Sequence, residues 1–331
     1  MSHNAKQPLY FDCDTGVDDS LALGHLLASP TIDLVGVGTV SGNVSATQGA
    51  RNTLDLLALA GNDGVPVATG AQDPLARAYE GGVPHIHGAN GIGNIDLPTS
   101  PRNPVAVSAA ELLVALSKEY PGELSIVAVG PLTNIALALR LDPSLASRIK
   151  EITIMGGAAL VPGNVSAVAE ANIWNDPEAA SEVFGASWDI VLVPLDVTLE
   201  NILEEPQRLA LEASPHPLVH NLGRILDFYF DFYVELYGRR ASALHDPLAA
   251  AIAAGSVTPT LAPRVNVIVD ATHGPGRGQT ICDLRGQRLG PVDQPGGNCR
   301  VVLATDKPLG AVLVEQLLAF QSAPTSAVPV P

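Results

Sequence analysis

Short apolar segments alternate with segments of helical periodicity along most of this chain. The apolar segments predict strands at 9–11, 32–40, 65–68, 124–129, 149–155 and 190–193. The periodic segments predict helices at 18–28, 46–59, 108–118, 134–139 and 177–184. Strands that alternate with helices require crossover connections, which favour a mostly parallel sheet covered on both faces. The pattern therefore predicts an α/β fold, with a single-domain, open, mostly parallel sheet flanked by helices and a Rossmann-like core.

The chain is long enough for more than one domain, but no linker divides it. It has 331 residues, of which 47% are hydrophobic and 16% charged, a composition typical of a globular protein. The end of the chain, 321–331, is small, polar and rich in proline. We therefore predict one domain over 1–320 and a disordered tail over 321–331.

The charge and the cysteine content exclude several classes of partner. The formal net charge is -16, which disfavours binding to nucleic acid because phosphate backbones are also negative. Three unpatterned cysteines do not suggest a disulfide framework and favour a reducing compartment. There is no signal-peptide core, and no apolar run reaches the roughly 18 residues of a membrane span. We expect a cytoplasmic protein that binds neither nucleic acid nor a membrane.

Four aspartates lie within eight residues directly after the first strand. Asp12 and Asp14 are two residues apart, so an extended chain points them to the same side, and Gly16 permits a tight turn. Asp18 and Asp19 then open a helix, where carboxylates are favoured. Carboxylates that converge in this way repel one another unless a cation is bound, and hard oxygen ligands select Ca²⁺ or Mg²⁺. The alternative interpretation is a helix cap followed by a solvated loop.

The segment Leu-Tyr-Phe-Asp-Cys-Asp-Thr-Gly-Val-Asp-Asp at 9–19 resembles the signature of the inosine-uridine preferring nucleoside hydrolase family. Thr15 stands where that family usually has proline. Four more segments resemble the family in the same order along the chain: 40–43, 129–134, 155–172 and 245–247. Ala171 stands where the family usually has phenylalanine. Each motif alone is weak, but five in register over residues 9 to about 250 are specific.

The resemblance implies the nucleoside hydrolase fold and a calcium-dependent hydrolase acting on N-glycosyl compounds. Such an enzyme cleaves the N-glycosidic bond of a ribonucleoside to ribose and free base, with a Ca²⁺-bound water activated by an aspartate. Asp14 would be the catalytic base, and His245 would give a proton or a hydrogen bond to the leaving base. The implied metal ligands are Asp14, Asp19, the Val129 carbonyl and Asp246. The implied ribose-binding residues are Asp18, Asn43, Asn164, Glu170 and Asn172. The family also implies a role in purine or pyrimidine salvage and a homodimer or homotetramer.

Two further groups of residues are candidates for contact with the base. Tyr233 and Tyr237 share one helical face with Tyr229 in an aromatic segment, 228–237, and aromatic rings stack on nucleobases. Core packing or a subunit contact explains that face equally well. His87 lies before a flexible glycine-rich segment, and the resemblance puts a loop near the substrate there. A surface loop without a functional role is the alternative.

Two rival functions remain open from the sequence. Asp12-Cys13-Asp14-Thr15 partly fits the opening motif of the haloacid-dehalogenase-like phosphohydrolases, in which Asp12 would be the nucleophile. That interpretation leaves Asp18, Asp19 and the 245–247 motif unexplained. A calcium-dependent nucleoside-binding protein without turnover is the second alternative, although the presence of both Asp14 and His245 argues against it.

Overall fold

The computed structural model describes residues 6–290 and 292–321. Its strands are β1 Gln7–Cys13, β2 Ile32–Thr39, β3 Val67–Thr69, β4 Ser125–Ala128, β5 Glu151–Met155, β6 Ile190–Val193, β7 Ile202–Glu204, β8 Ala241–Ala243, β9 Pro259–Leu261, β10 Arg264–Val265, β11 Val267–Val269, β12 Thr280–Cys282, β13 Cys299–Val301 and β14 Ala304–Thr305. Its helices are α1 Val17–Ala28, α2 Ala46–Leu59, α3 Pro84–His87, α4 Ala109–Glu119, α5 Thr133–Leu141, α6 Ala171–Asn175, α7 Pro177–Gly185, α8 Leu195–Thr198, α9 Glu205–Glu212, α10 Pro217–Tyr237, α11 His245–Ala253 and α12 Leu309–Leu318. Two short 3-10 helices lie at Leu145–Arg148 and Arg285–Leu289.

Eight strands form the central sheet, in the order β10-β13-β6-β5-β4-β1-β2-β3. All neighbouring strands are parallel except β10 and β13, which are antiparallel. The six strands expected from the sequence are the six successive members from β6 to β3. The α/β fold with an open, mostly parallel sheet is therefore confirmed.

The direction in which strands are added to the sheet reverses beside β1. From β1 the chain adds β2 and β3 on one side, and then returns to add β4, β5 and β6 on the other. In open α/β sheets, such a reversal creates a crevice beyond the carboxyl ends of the strands, where ligands bind. The acidic run directly follows β1, so the topology puts its carboxylates at this crevice.

The two faces of the sheet bury separate hydrophobic cores because neighbouring residues on a strand point to opposite faces. Leu9 and Phe11 of β1 pack on one side, in a core that also contains side chains of α1, α2, α10, α11 and α12. Tyr10 packs on the other side, against side chains of α4, α5 and α7. Helices on both faces explain why these strands are apolar throughout rather than alternating.

The structure adds elements that the sequence pattern did not indicate. These are three two-stranded sheets, β11–β12, β9–β14 and β7–β8. The aromatic helical segment 228–237 lies in α10, the longest helix of the described residues. All three cysteines are free. Within residues 6–290 and 292–321, no helix is both long and apolar enough to cross a membrane. The expected tail lies outside the described residues from 322 onward, and the domain limit at 320 stays a prediction.

Candidate active site

A cavity of about 380 Å³ lies beyond the carboxyl ends of the central strands. Segments that follow β1, β2, β4 and β5 meet α3, α10 and the start of α11 around it. The candidate residues that line it are Asp18, Asn43, His87, Val129, Asn164, Glu170, Asn172, Tyr233, His245 and Asp246. The fold thus brings ten candidates from distant parts of the chain to one pocket.

The turn after β1 is closed by the carboxylate of Asp19. Its Oδ1 accepts a hydrogen bond from the backbone N–H of Asp14 at 3.0 Å, and its Oδ2 accepts one from Gly16 at 2.8 Å. The hydroxyl of Thr15 shares a hydrogen bond of 2.8 Å with that of Thr53 on α2, which ties the turn to a neighbouring helix. This side-chain bond restrains the turn at the position where the family usually has proline.

Asn43, after β2, holds two of the carboxylates from the acidic run. Its backbone N–H donates to Asp14 Oδ2 at 2.6 Å, and its Nδ2 donates to Asp19 Oδ2 at 3.1 Å. The neighbouring residue, Gly42, lies so close to Asp14 that a Cβ there would overlap Asp14 Oδ2. Glycine is therefore required at 42 for the close approach of this backbone to the acidic turn.

Three carboxylates converge beside the cavity, which two of them, Asp18 and Asp246, line. One oxygen each of Asp18, Asp19 and Asp246 lies within 4.8 Å of the other two, and all three residues are buried. Asp14 lies outside this close group but beside it, and one buried oxygen of Asp14 and one of Asp18 have no hydrogen-bond partner among the described residues. The resemblance implies Asp18 as a ribose-binding residue and Asp14 as a metal ligand, whereas in the structure Asp18 is the third member of the close group.

The electrostatics of this group favour a bound cation. Burial, followed by repulsion from Asp19, raises the pKa of Asp18 to about 7 and that of Asp14 well above its usual range. Burial and repulsion from Asp18, Asp19 and Asp14 also raise the pKa of Asp246. Carboxylates that are buried together and lack donors are destabilised until a positive charge or protons neutralise them. An oxygen-only donor set suits a hard divalent ion such as Ca²⁺.

Val129 follows β4 and lines the cavity, and its carbonyl oxygen is a hydrogen-bond acceptor. It accepts a hydrogen bond of 2.8 Å from Nδ2 of Asn172, which also donates to the Met155 carbonyl at 3.3 Å. A carbonyl oxygen has two lone pairs, so Val129 keeps one for a further partner. The amide hydrogens of Asn172 are bound to protein, which leaves its Oδ1 for a ligand.

The segment between β5 and α6 is organised by a buried carboxylate, Glu170. Its Oε1 accepts from the backbone N–H of Asn172 at 2.8 Å, and its Oε2 accepts from Gly157 at 2.9 Å and Ile173 at 3.2 Å. Glu170 therefore caps α6, and burial raises its pKa despite these donors. Asn164 Oδ1 accepts from the backbone N–H of Ala171 at 3.0 Å, so the Nδ2 donor of Asn164 remains for a ligand.

A chain of side-chain hydrogen bonds connects His245 to the acidic group. Nε2 of His245 is 2.8 Å from the Tyr233 hydroxyl, which lies 3.4 Å from the Tyr229 hydroxyl. The Tyr229 hydroxyl donates to Asp18 Oδ2 at 3.2 Å. On the other side of the ring, Nδ1 is 2.7 Å from Oγ1 of Thr198. Burial lowers the pKa of His245 to about 4, so the ring is neutral at pH 7.

His87 lines the cavity as a neutral side chain. Its Nδ1 lies 3.9 Å from Asp18 Oδ1, but the same nitrogen accepts a hydrogen bond from the backbone N–H of Val17 at 3.1 Å. A ring nitrogen that accepts a hydrogen bond carries no proton, so this approach is not an ion pair. Burial also lowers the pKa of His87 to about 3. Its ring packs on Tyr229, with 5.2 Å between the ring centroids.

Tyr237 is a candidate for contact with the base that does not itself line the cavity. It lies one helical turn beyond Tyr233, and the two rings stack with 5.7 Å between centroids. Its hydroxyl donates to the carbonyl of Leu199, a residue that lines the cavity, at 3.2 Å. Of the aromatic face, Tyr229 and Tyr233 line the cavity, and a contact of Tyr237 with the base stays a prediction.

Several cavity residues escaped the sequence analysis. Arg77 and Trp174 form a cation–π contact, with 5.0 Å from the guanidinium carbon to the ring centroid, and both line the pocket. Tyr229 was noted only as part of the aromatic face, and Thr198 was not noted. Neither Arg77 nor Thr198 belongs to a motif, and only the tertiary structure brings them near the site.

Asp12, like Asp14 and Asp19, is not among the residues that line the cavity. Its carboxylate accepts hydrogen bonds from the Tyr10 hydroxyl at 3.0 Å and from Asn134 Nδ2 at 3.1 Å. It is buried, and burial raises its pKa to about 7. Since the Asp12 carboxylate is held by protein donors, whereas one oxygen of Asp14 has no partner among the described residues, Asp12 fits a role in supporting the turn better than that of a nucleophile.

Known proteins resemble this chain over most of its length. A model of the family described as inosine-uridine preferring nucleoside hydrolase matches residues 9–309. Uridine nucleosidase 1 of Arabidopsis thaliana is 41% identical over 247 residues, covering 73% of this chain and 72% of that protein. The inosine-uridine preferring nucleoside hydrolase of Leishmania major is 35% identical over 304 residues, covering 89% and 91%. The solved structure of the purine-preferring ribonucleoside hydrolase from Gardnerella vaginalis superposes with a TM-score of 0.87 at 34% identity, covering 95% of this chain and 99% of that one.

Fold, pocket and relatives together define an enzyme, a hydrolase that acts on N-glycosyl compounds. The chain belongs to the inosine-uridine preferring nucleoside hydrolase family. The family and the enzyme class expected from the motifs are confirmed. The alternatives of a phosphohydrolase and of a binding protein without turnover are set aside.

Proposed function

We propose that this protein hydrolyses the N-glycosidic bond of ribonucleosides to ribose and free base in a calcium-dependent reaction. The observation that carries the proposal is one cavity that combines three functions. It contains buried carboxylates without enough donors, a preorganised segment of amide and carboxylate groups suited to a sugar, and a neutral histidine.

The residues that would hold Ca²⁺ are the close carboxylate group together with the Val129 carbonyl and Asp14. Their unpartnered buried oxygens and raised pKa values support this assignment. When bound, Ca²⁺ supplies Lewis acidity, which makes a water easier to deprotonate and neutralises the carboxylates. Magnesium requires a more regular set of ligands, so the mixture of carboxylates and a carbonyl favours calcium.

Asp14 is proposed as the catalytic base that takes the proton from the attacking water. One of its oxygens accepts from the backbone N–H of Asn43, and the other has no hydrogen-bond partner among the described residues and could contact the attacking water. Because Gly42 and Asn43 fix its position, little reorganisation is needed as the reaction begins.

The sugar is proposed to bind across the carboxylate group and the segment before α6. Asp18, Asn43 and Asn172 would contact the 2′- and 3′-hydroxyls. Asn164 and Glu170 would contact the 5′-hydroxyl. Since these polar groups are buried, a substrate that lacks a hydroxyl leaves one of them unpaired, which selects for ribose.

His245 is proposed to stabilise the departing base. The ring is neutral at pH 7, so it acts as a hydrogen-bond donor to the negative charge that develops on the base. Tyr233 and His87 line the same cavity, and their ring faces offer apolar contact for a base. The N-glycosidic bond breaks as the water oxygen bonds to the sugar carbon, and the water proton moves to Asp14.

Variants at two neighbouring buried aspartates test the proposal. Asp14→Asn keeps the shape but removes the base, and we expect kcat for inosine and uridine to fall about 10²–10⁴-fold. Asp12→Asn changes an equally buried carboxylate outside the cavity, so its kcat is expected to change far less. Both variants are assayed for released ribose, with 4-nitrophenyl phosphate as a second substrate and thermal unfolding as the folding control. Near-normal turnover by Asp14→Asn contradicts its role as the base, and phosphatase activity that depends on Asp12 contradicts the function itself.

The preferred base is a separate question within the proposed function. The relatives include a uridine nucleosidase, an inosine-uridine preferring enzyme and a purine-preferring enzyme. A panel of inosine, uridine, adenosine and cytidine, assayed with Ca²⁺ and with chelator, ranks the substrates. Loss of ribose release in chelator, restored by Ca²⁺, is the expected result.

The assembly, compartment and pathway are proposed from the family resemblance and the composition. We propose a cytoplasmic homodimer or homotetramer that acts in nucleoside salvage and binds neither nucleic acid nor membranes. Light scattering on the purified protein measures the number of subunits, and a monomeric mass contradicts the proposed assembly.

A further inference from the structure

The short helix α8 contacts His245 of the active site through the side chain of Thr198. This residue is fully buried, and its Oγ1 lies 2.7 Å from Nδ1 of His245. Within the described part of the chain, this is the sole side-chain hydrogen bond of Thr198. A buried hydroxyl hydrogen without an acceptor is unfavourable, so the Thr198 hydroxyl must donate to Nδ1.

The other end of the hydrogen-bond chain, at Asp18, requires the same position for the His245 proton. The Tyr229 hydroxyl donates to Asp18 Oδ2 at 3.2 Å. The single hydrogen of Tyr229 is then used, and the contact of 3.4 Å with Tyr233 requires the Tyr233 hydroxyl to donate. The oxygen of Tyr233 therefore accepts from Nε2 of His245. Every hydrogen in the chain has a partner only if the imidazole carries its proton on Nε2.

We propose that Thr198 is a positioning residue that holds the His245 proton on Nε2, the ring nitrogen that bonds to Tyr233, which lines the substrate cavity together with His245. With the proton on Nδ1 instead, Nε2 would present a lone pair to a base that is becoming an anion, and no stabilising hydrogen bond would form. A neutral histidine has two tautomers. The hydrogen-bond partner of one ring nitrogen decides whether the other nitrogen carries the proton or a lone pair. This inference rests on the proposed leaving-group role of His245.

The tautomer can be observed directly, without turnover. In ¹⁵N-histidine-labelled protein, the His245 ring signals are identified by their absence in His245→Gln. We expect a protonated Nε2 and an unprotonated Nδ1 in the wild-type protein and in Thr198→Ser, which keeps the hydroxyl. Thr198→Val is expected to shift the Nδ1 signal, because the hydrogen bond to that nitrogen is lost. A protonated Nδ1 in the wild-type protein overturns the proposal.

Kinetics separate positioning of the histidine from a general effect on structure. Thr198→Val should lower kcat for inosine and uridine about tenfold, the usual effect of losing one hydrogen bond in a transition state. It should leave hydrolysis of 4-nitrophenyl riboside nearly unchanged, because nitrophenolate leaves without help. Thr198→Ser should restore most of the nucleoside activity. Thr153→Val, at a buried threonine on β5 outside the cavity, is the matched control and should affect neither substrate.

The outcomes distinguish this inference from the function on which it rests. An equal loss on both substrates, or no loss on either, overturns the role of Thr198 while the nucleoside hydrolase activity stands. A wild-type protein that releases no ribose from any nucleoside contradicts the proposed function. In that case the NMR measurement still tests the position of the proton.

Discussion

Asp246→Asn should change the stability of this protein in opposite directions with and without calcium. Asp246 has one oxygen within 4.8 Å of oxygens of Asp18 and Asp19, and repulsion among these buried groups opposes folding when no cation is present. The amide has the same shape without the charge. In chelator the variant should therefore be more stable than the wild-type protein. In calcium it should be less stable, because it lacks one of the metal ligands.

The magnitude follows from the geometry. Two full charges about 4.8 Å apart repel by about 3.5 kcal/mol at an effective dielectric of about 20. Asp246 faces two such charges, but proton uptake by the group relieves part of the repulsion, since the pKa of Asp18 is about 7. We expect a gain of about 3 kcal/mol at pH 8 in chelator. For a chain of 331 residues, with an unfolding entropy of about 0.7 kcal/mol/K, this raises the Tm by about 4 °C.

Calcium should reverse this order. A ligand present at about 1,000 times its Kd stabilises the folded wild-type protein by about 4.1 kcal/mol, which exceeds the advantage of the variant in chelator. The variant should gain much less because its site is weakened. Thermal unfolding is measured at pH 8 in chelator and in Ca²⁺. Asp63→Asn, on an exposed loop, is the control for a change of net charge. The reasoning is refuted if Asp246→Asn is less stable than the wild-type protein in chelator, or if calcium raises both Tm values equally.

Two further changes test other parts of the structure. Burial lowers the pKa of His25 to about 4, so between pH 6.5 and 4 the unfolded chain binds more protons than the folded one and stability is lost as the pH falls. From pH 7.5 to pH 5 the free energy of unfolding should fall by about 2 kcal/mol because of His25. The His25→Gln variant should lose that much less over the same range when unfolded in urea. If the wild-type protein and the variant have the same pH dependence, His25 does not contribute in this way. Gly42→Ala should lower kcat about 10²-fold because the added Cβ displaces Asp14, whereas Gly64→Ala, with open space around it, should not. Equal activity of the two glycine variants would show that the backbone at 42 can move away from Asp14.

Much of the fold could be predicted from local patterns. The six expected strands form the greater part of the sheet because strands covered by helices on both faces are apolar throughout, a pattern visible in the sequence alone. The small sheets formed by β7–β8, β9–β14 and β11–β12 were not predicted. Strands of two or three residues are too short to show a periodicity.

In the candidate site, too, one part could be predicted from the sequence and another could not. Asp14, Asp18, Asp19 and His245 lie in compact motifs, so the sequence identified them as candidates before any geometry was known. The arrangement of these residues in space could not be predicted from the sequence in the same detail. Which carboxylates approach one another depends on hydrogen bonds from Asn43 and from the turn at Gly16, and these involve separate segments of the chain.

The sequence by itself determined the family, the parallel sheet and the residue types that supply the chemistry, because these are encoded in short contiguous segments. Only the tertiary structure decided that Asp18 joins Asp19 and Asp246, that Tyr237 bonds to the Leu199 carbonyl and that Asp12 bonds to Tyr10 and Asn134. It also decided the partner of His245, since Thr198 is 47 residues away along the chain. Hydrogen-bond direction and charge repulsion act over a few ångströms, so they depend on which residues packing brings together rather than on their order in the chain.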